Sequence, residues 1–276
     1  MAGAPSLLLL GAGNMGGALF EAWIEAESID LARSGVVDPN PSEAIATLCE
    51  AHGVALNPME DAGYDVCVLA VKPQAFASVL PDLDWPNMTD TLFVSIAAGT
   101  TAQTIGHLLA ERAPGAQIVR TMPSLPAKVR QGVTLLADAP GLTDADKAVA
   151  TDLMAAAGET HWCRDEDHLD RVMGVTGCSP AFVFLLAEAL TEAAVEQGVG
   201  DADARRIAEA AVTGAAALLA ADGRDAASLR RAVTSPKGTT EAALGVLDVE
   251  GEGGLRHLVS RAVSAAYDRA RALAGS

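Results

Sequence analysis

The chain has 276 residues, half of them apolar (50%), and a mean hydropathy of +0.25. That is length for about two domains and apolar mass for a sizeable core, which excludes intrinsic disorder. Lys and Arg number 19 against 36 Asp and Glu, a net charge of −17 that argues against a nucleic-acid backbone or an anionic membrane as main partner, since each needs a basic face.

From the amino terminus, short apolar runs alternate with helical stretches. Ser6–Leu10 is the first apolar run, followed by a helix over Met15–Glu27, a short strand at Gly35–Val37 and a helix over Pro41–His52. Val66–Val71 and Leu92–Ile96 read as continuous buried strands; Gln117–Met122 and Val133–Ala137 come next, then a helix over Asp144–Ala157. Period-2 alternation is weak, as expected of strands covered on both sides, so the pattern predicts a parallel, doubly wound α/β sheet with helices on both faces.

After about Cys163 the strand-like runs stop. Pro180–Gln197, Asp203–Ala221, Ala226–Val233, Thr239–Leu247 and Leu255–Leu273 read as helices, with breaks at Gly198–Asp201 and Asp222–Asp225. The expected organisation is an α/β domain over residues 1–163 and an all-helical domain over 164–276. Val212, Ala215, Ala216, Leu218 and Leu219 spread over more than one helical stripe. Such helices must be buried on several faces, which a small bundle alone does not offer, so a homodimer through this domain is expected. No apolar stretch is expected to approach the ~18 residues that span a bilayer.

Cys49, Cys67, Cys163 and Cys178 lie far apart without a C-x-x-C. They read as buried thiols in a reducing cytoplasm, with neither a disulfide frame nor a zinc site. The apolar run Leu7–Leu10 stops at glycine and has no basic segment before it, so no secretory signal is expected and the location reads as cytoplasmic. His161 and His168 near Cys163 lack a tight ligand spacing, and no metal is expected. The run Arg164–Asp170 reads as a solvated helix start.

Gly11-Ala12-Gly13-Asn14-Met15-Gly16 follows the first strand and opens the first helix. In a G-x-G-x-x-G loop the first glycine allows the tight turn, the second lets a pyrophosphate approach the backbone, and the third lets helix and strand pack closely. The helix start then offers N–H donors and a partial positive charge to phosphates. In this context the loop reads as a Rossmann-type dinucleotide site; the bland alternative is a glycine-rich structural turn. Asp38 ends the second strand, 22 residues past Gly16. An acid there takes adenosine ribose hydroxyls and repels a 2′-phosphate, which favours NADH over NADPH. Alternatively it only forms a turn before Pro39. Met15 and Met122 read either as cofactor contacts or as core.

A second crowded stretch is Thr234-Ser235-Pro236-Lys237-Gly238-Thr239-Thr240. Its hydroxyls sit at a helix start whose N–H groups can hold a carboxylate. Blandly read, it is a capped helix with a loop.

The stretch resembles the carboxyl-terminal T-S-P-x-G-T-T pattern of the pyrroline-5-carboxylate reductases. Gly11–Gly16 with Gly17 and Ala18, Ala70-Val71-Lys72-Pro73, Ser95-Ile96-Ala97-Ala98-Gly99, Arg120-Thr121-Met122-Pro123 and Gly174–Phe182 are similar to further motifs of that family, in its order and over nearly the whole chain. The resemblance implies reduction of 1-pyrroline-5-carboxylate to L-proline by NAD(P)H, in a Rossmann domain followed by a helical dimerisation domain, with dimers joining into larger rings. It also implies that Ala70–Pro73, Ala97–Gly99, Met122 and Pro123 line the cofactor. Ser235 with the backbone at Gly238, Thr239 and Thr240 would hold the substrate carboxylate, and the Thr240 hydroxyl would face the ring nitrogen. The chain departs at Ser124, where the family usually has Asn, and at Lys237, where it often has Gly. If the latter position needs positive φ, Lys is strained there. Glu60 would add to the repulsion of a 2′-phosphate, against the family's tendency to NADPH.

Two other readings compete. A related two-domain 3-hydroxyacid dehydrogenase wants a Lys or His base on the first long helix of its second domain, and Pro180–Gln197 has neither. A nucleotide-binding sensor or scaffold would keep the glycine loop without turnover.

Overall fold

The structure is a computed structural model that describes residues 3–58 and 63–274. Within the described residues the chain divides into two compact units. The first runs to Gly177 and includes the residues from Ala266 onward, and the second is Cys178–Ala265.

The first unit is built on a sheet of β1 (Leu7–Leu10), β2 (Gly35–Val37), β3 (Ala55–Leu56), β4 (Val66–Leu69), β5 (Leu92–Ser95), β6 (Gln117–Pro123), β7 (Gly132–Ala137) and β8 (Gly158–Cys163), in the order β3-β2-β1-β4-β5-β6-β7-β8. Its helices are α1 (Asn14–Glu25), α2 (Glu43–His52), the short α3 (Phe76–Val79), α4 (Ala102–Leu109), α5 (Asp144–Ala155) and α6 (Glu166–Thr176). Successive strand residues point to opposite faces. Leu7 and Leu9 enter one apolar cluster with Trp23, Val36 and Leu153, while Leu8 and Leu10 enter another with Phe76, Phe93 and Ile105. Covering both faces is why these strands read as unbroken apolar runs.

The expectation of a parallel sheet needs one correction: β6 and β7 pair antiparallel, with Thr121 opposite Leu136 and Pro123 opposite Thr134. A parallel crossover takes a dozen or more residues, and residues 124–131 provide only a 3₁₀ turn, Leu125–Val129, closed by Arg130 in the left-handed region (φ 58). The other pairings are parallel. Sequence reading did not anticipate β3, β8 or α4. β3 is two residues long, β8 is half-exposed and mixes Glu, Thr and His with Trp and Cys, and α4 is a short helix capped by the Thr101 side chain.

Arg164–Asp170 does start a helix, α6, with the Asp165 side chain accepting from His168 N–H at its cap. It is not simply solvated, because Asp170 is buried. Through α6 the first unit extends beyond Cys163. The last turns of α11 (Leu255–Ala274) return to this unit, where the Tyr267 hydroxyl donates to Asp167 at 2.6 Å and Arg171 lies 4.5 Å over the Tyr267 ring. These two neighbours, the hydroxyl first, hold the Asp167 carboxyl below the usual range.

The second unit holds α7 (Ser179–Glu196) packed along α8 (Asp201–Asp222), then α9 (Ala226–Ala232), α10 (Thr239–Leu247) and most of α11. None of α7 is buried, and Phe184, Leu185, Leu186, Leu218 and Leu219 stand exposed. The expectation that no apolar stretch approaches spanning length is also corrected. Glu166–Glu196 contains an 18-residue window of mean hydropathy 1.6. The cause is α7, whose run Ala181–Ala187 is unbroken apolar and whose acids Glu188, Glu192 and Glu196 stack at i, i+4 spacing on one face. Cys49, Cys67 and Cys163 are buried and Cys178 is half-buried; burial pushes the Cys67 thiol well up.

Candidate active site

Strand order reverses at β1, which lies between β2 and β4. The crevice outside the carboxyl ends of the strands at such a point is where open α/β sheets take ligands. Gly11 turns there with φ 91, and its N–H donates to the Val37 carbonyl at 2.8 Å. A Cβ at Gly16 would stand 2.2 Å from the Gly11 carbonyl oxygen, whereas a Cβ at Gly13 would meet nothing within 4 Å. The third glycine is thus required by packing, and the second faces open space. Gly13 is the N-cap of α1 and supplies no side-chain cap, and the first turn carries no acid. Its N–H groups are left for an anion. Gly13 and Asn14 are exposed; Met15 packs partly on the core beneath.

Asp38 sits beside this loop. One carboxylate oxygen accepts from Ala12 N–H at 2.8 Å and the other from Asn40 N–H at 2.9 Å. Asn57 pairs with the Asp38 backbone in both directions. A cleft of about 480 Å³ opens here, lined by Gly13, Asn14, Asp38, Asn40, Ser42 and Lys128 among others. Glu60 lies outside the described residues.

The other stretches of the first unit gather at the same strand ends. Ala70–Pro73 leaves β4, with Ala70 N–H donating to the Leu10 carbonyl at 2.8 Å. Ala97–Gly99 leaves β5, where Ile96 N–H donates to the Leu69 carbonyl at 3.2 Å and Gly99 has φ 73. Ser95 is paired with Arg120 in the register of β5 and β6, so Thr121–Pro123 extends past that edge. Pro123 is buried, and Met122 packs against Leu135, Cys163 and Leu169. A glycine cradle, an acid at the β2 end and three neighbouring loops together fit a dinucleotide.

In the second unit, Ser235–Thr240 joins α9 to α10. Gly238 N–H donates to the Ser235 carbonyl at 3.0 Å, with Pro236 and Lys237 at the corners and Lys237 at φ 60. That is the pattern of a type II turn, whose third residue favours Gly. Gly238 caps α10 without a side chain, and Thr240 stands in the first turn. A Cβ at Gly238 would lie against the Ser235 hydroxyl oxygen. The arrangement puts one hydroxyl, Ser235, and the open N–H groups of the helix start in one place.

A family model described as pyrroline-5-carboxylate reductase dimerisation matches residues 166–273. One described as NADP oxidoreductase, coenzyme F420-dependent, matches residues 6–99. The pyrroline-5-carboxylate reductase of Pseudomonas aeruginosa is 35% identical over 272 residues, which cover 98% of this chain and 97% of that one. The chain belongs to the pyrroline-5-carboxylate reductase family. The solved reductase of Coxiella burnetii superposes with a TM-score of 0.85 at 32% identity, covering 98% of each chain. The Plasmodium falciparum pyrroline carboxylate reductase, solved with NADP bound, has a TM-score of 0.79 at 23% identity over 99% of this chain and 100% of that one.

The reductase family's usual Asn after Met-Pro is replaced by Ser124. It is buried; its hydroxyl accepts from Val133 N–H at 2.8 Å and its own N–H donates to the Val133 carbonyl at 3.2 Å. Here it ties the β6–β7 turn. Lys237 does carry the positive φ that Gly would take freely, a strain of about 1–2 kcal/mol for an L residue. Of the competing readings, the dehydrogenase is not favoured: α7 offers no Lys or His, and the full-length relatives are reductases.

Sequence reading missed Arg120 and its partners. Its guanidinium meets Asp170 at 2.6 Å and Glu166 at 3.3 Å, and Glu166 accepts from Ala102 N–H at the start of α4. The signal was present: a lone Arg inside the apolar run Gln117–Met122 requires a buried acid. Asn40, Ser42 and Lys128 left no comparable signal, since each reads as an ordinary surface residue.

Proposed function

We propose that this chain reduces the cyclic imine 1-pyrroline-5-carboxylate to L-proline with NAD(P)H, the last step of proline biosynthesis, in the cytoplasm. Membership of the reductase family at 35% identity over 98% of the chain carries this reading, and the cradle at Gly11–Gly16 supports it. The reduced nicotinamide, when bound, supplies the hydride. Gly13, Asn14, Met15 and the α1 start would hold its pyrophosphate. Asp38 would take the adenosine ribose. Ala70–Pro73, Ala97, Ala98, Gly99, Met122 and Pro123 would line the rest.

Ser235 and the N–H groups of Gly238, Thr239 and Thr240 hold the substrate carboxylate in this reading. The Thr240 hydroxyl bonds the ring nitrogen and orients it or relays its proton, so that carbon receives a hydride and nitrogen keeps a proton. Cyclic imines are basic enough to arrive partly protonated, and orientation therefore does more here than a strong acid. The test is a steady-state assay with pyrroline-5-carboxylate and each reduced cofactor in turn. No turnover with either cofactor refutes the reading and returns the chain to a nucleotide-binding scaffold.

The match to a dimerisation domain makes oligomerisation part of the family's build. The finer reading is a homodimer through the second unit, with dimers joining into larger rings. The exposed Phe184, Leu185, Leu186, Leu218 and Leu219 support it, because so much apolar helix surface on a lone chain invites association. Light scattering that finds a monomer at micromolar concentration overturns it.

A further inference from the structure

The turn at Ser235–Gly238 contains a contradiction. Lys237 occupies a backbone region that L residues avoid, and in the same turn Gly238 leaves α10 without a side-chain cap. One contact offsets the first and leaves the second open. The Lys237 N–H donates to Glu241 Oε2 at 2.7 Å. Glu241 stands at the third position of α10 and reaches back across the helix start, as the acid of a capping box does. Here it bonds the residue before the cap rather than the cap itself. Its carboxylate is thereby held on Lys237, which leaves the N–H groups of Thr239 and Thr240 to another acceptor.

We infer that Glu241 is a positioning residue for substrate binding: it latches the Lys237 turn in its left-handed form and so holds Ser235 and the α10 start in the geometry that seats a carboxylate. This rests on the reading of Ser235–Thr240 as the carboxylate seat. Glu241 touches no reacting atom in this scheme. Its negative charge makes the alternative explicit, because an acid at a helix start that is not so held competes with an anionic ligand for the same donors.

The latch matters because residue 237 is not glycine. With Gly at that position the turn needs no help. The test is therefore an exchange of backgrounds, using the full chain and steady-state kinetics with pyrroline-5-carboxylate. Glu241→Ala is expected to raise KM for the imino acid about threefold or more, the loss of one charge-assisted hydrogen bond at an exposed site, with kcat and the cofactor KM nearly unchanged. Glu241→Gln keeps an acceptor and is expected to restore most of the loss. In a Lys237→Gly chain, Glu241→Ala is expected to change KM little. An unchanged or lowered KM in Glu241→Ala overturns the inference, as does an equal rise in both backgrounds. Ser235→Ala, measured alongside, separates the failures. If it raises KM while Glu241→Ala does not, the latch alone is wrong; if neither moves KM, the carboxylate seat is wrong and the latch falls with it.

Discussion

Nη2 of Arg120 lies 2.6 Å from Oδ1 of Asp170, a buried ion pair that fastens α6 to the strand ending in Met122 and Pro123. The guanidinium is 2% exposed and also meets Glu166, whose other oxygen accepts from Ala102 N–H. Through these contacts β6, α6 and the start of α4 form one charged knot beside the Ala97–Gly99 loop. Removing Asp170 leaves the buried guanidinium with Glu166 alone at 3.3 Å, and breaking a buried pair costs up to about 3–5 kcal/mol. Asp170→Asn is expected to lower stability by that order in denaturant unfolding. Arg120→Met with Asp170→Leu is expected to lose less than Asp170→Asn alone, since it removes both buried charges and leaves only Glu166, which is partly exposed and can be solvated.

Two glycines of the cradle separate under substitution. Gly16→Ala puts a Cβ 2.2 Å from the Gly11 carbonyl oxygen, and the forced shift is expected to cost about 1–3 kcal/mol. Gly13→Val meets open space, so its melting temperature is expected to stay near that of the parent while dinucleotide affinity falls at least about tenfold, one step of 1.4 kcal/mol. Calorimetric binding beside thermal melting reads both.

In the proposed site, Asp38 sets the charge at the adenosine end. Both its oxygens already accept backbone N–H groups, yet the carboxylate still opposes a 2′-phosphate in the adjoining cleft. Asp38→Ser is expected to raise the ratio of kcat/KM for NADPH over NADH by about tenfold, from removal of one nearby charge. An unchanged ratio shows that cofactor choice is set elsewhere.

In the proposed site, Thr240 and Ser235 divide the work at α10. Thr240→Ala is expected to lower kcat by about tenfold or more with cofactor binding intact, the signature of a contact made in the transition state. Ser235→Ala is expected to raise KM for the imino acid with smaller change in kcat. Parent turnover in the first variant removes Thr240 from the chemistry.

Much of the fold was legible because local signals agreed with it. Leu7–Leu10, Val66–Leu69 and Leu92–Ser95 lie in apolar runs that begin after Ser6, Asp65 and Thr91, and each became a strand buried on two faces. The glycine loop was legible by position, directly after one strand and before one helix. The antiparallel β7 was not, because strand direction depends on how much chain lies between β6 and β7 and not on the pattern within either. Asp170 was misjudged for a related reason. A charge on a helix start reads as solvated until a partner 50 residues away supplies its burial.

By itself, the order of residues determined where a dinucleotide cradle forms and which segments are strands or helices, because turn chemistry and apolar periodicity act over a few neighbours. It also set which carboxyl-terminal hydroxyls adjoin an uncapped helix. The tertiary structure decided which acid answers Arg120, which glycine is fixed by packing and which faces open space, and that Lys237 is held left-handed under Glu241. Those outcomes follow from distances between groups, in space or across a turn, and periodicity carries no record of them.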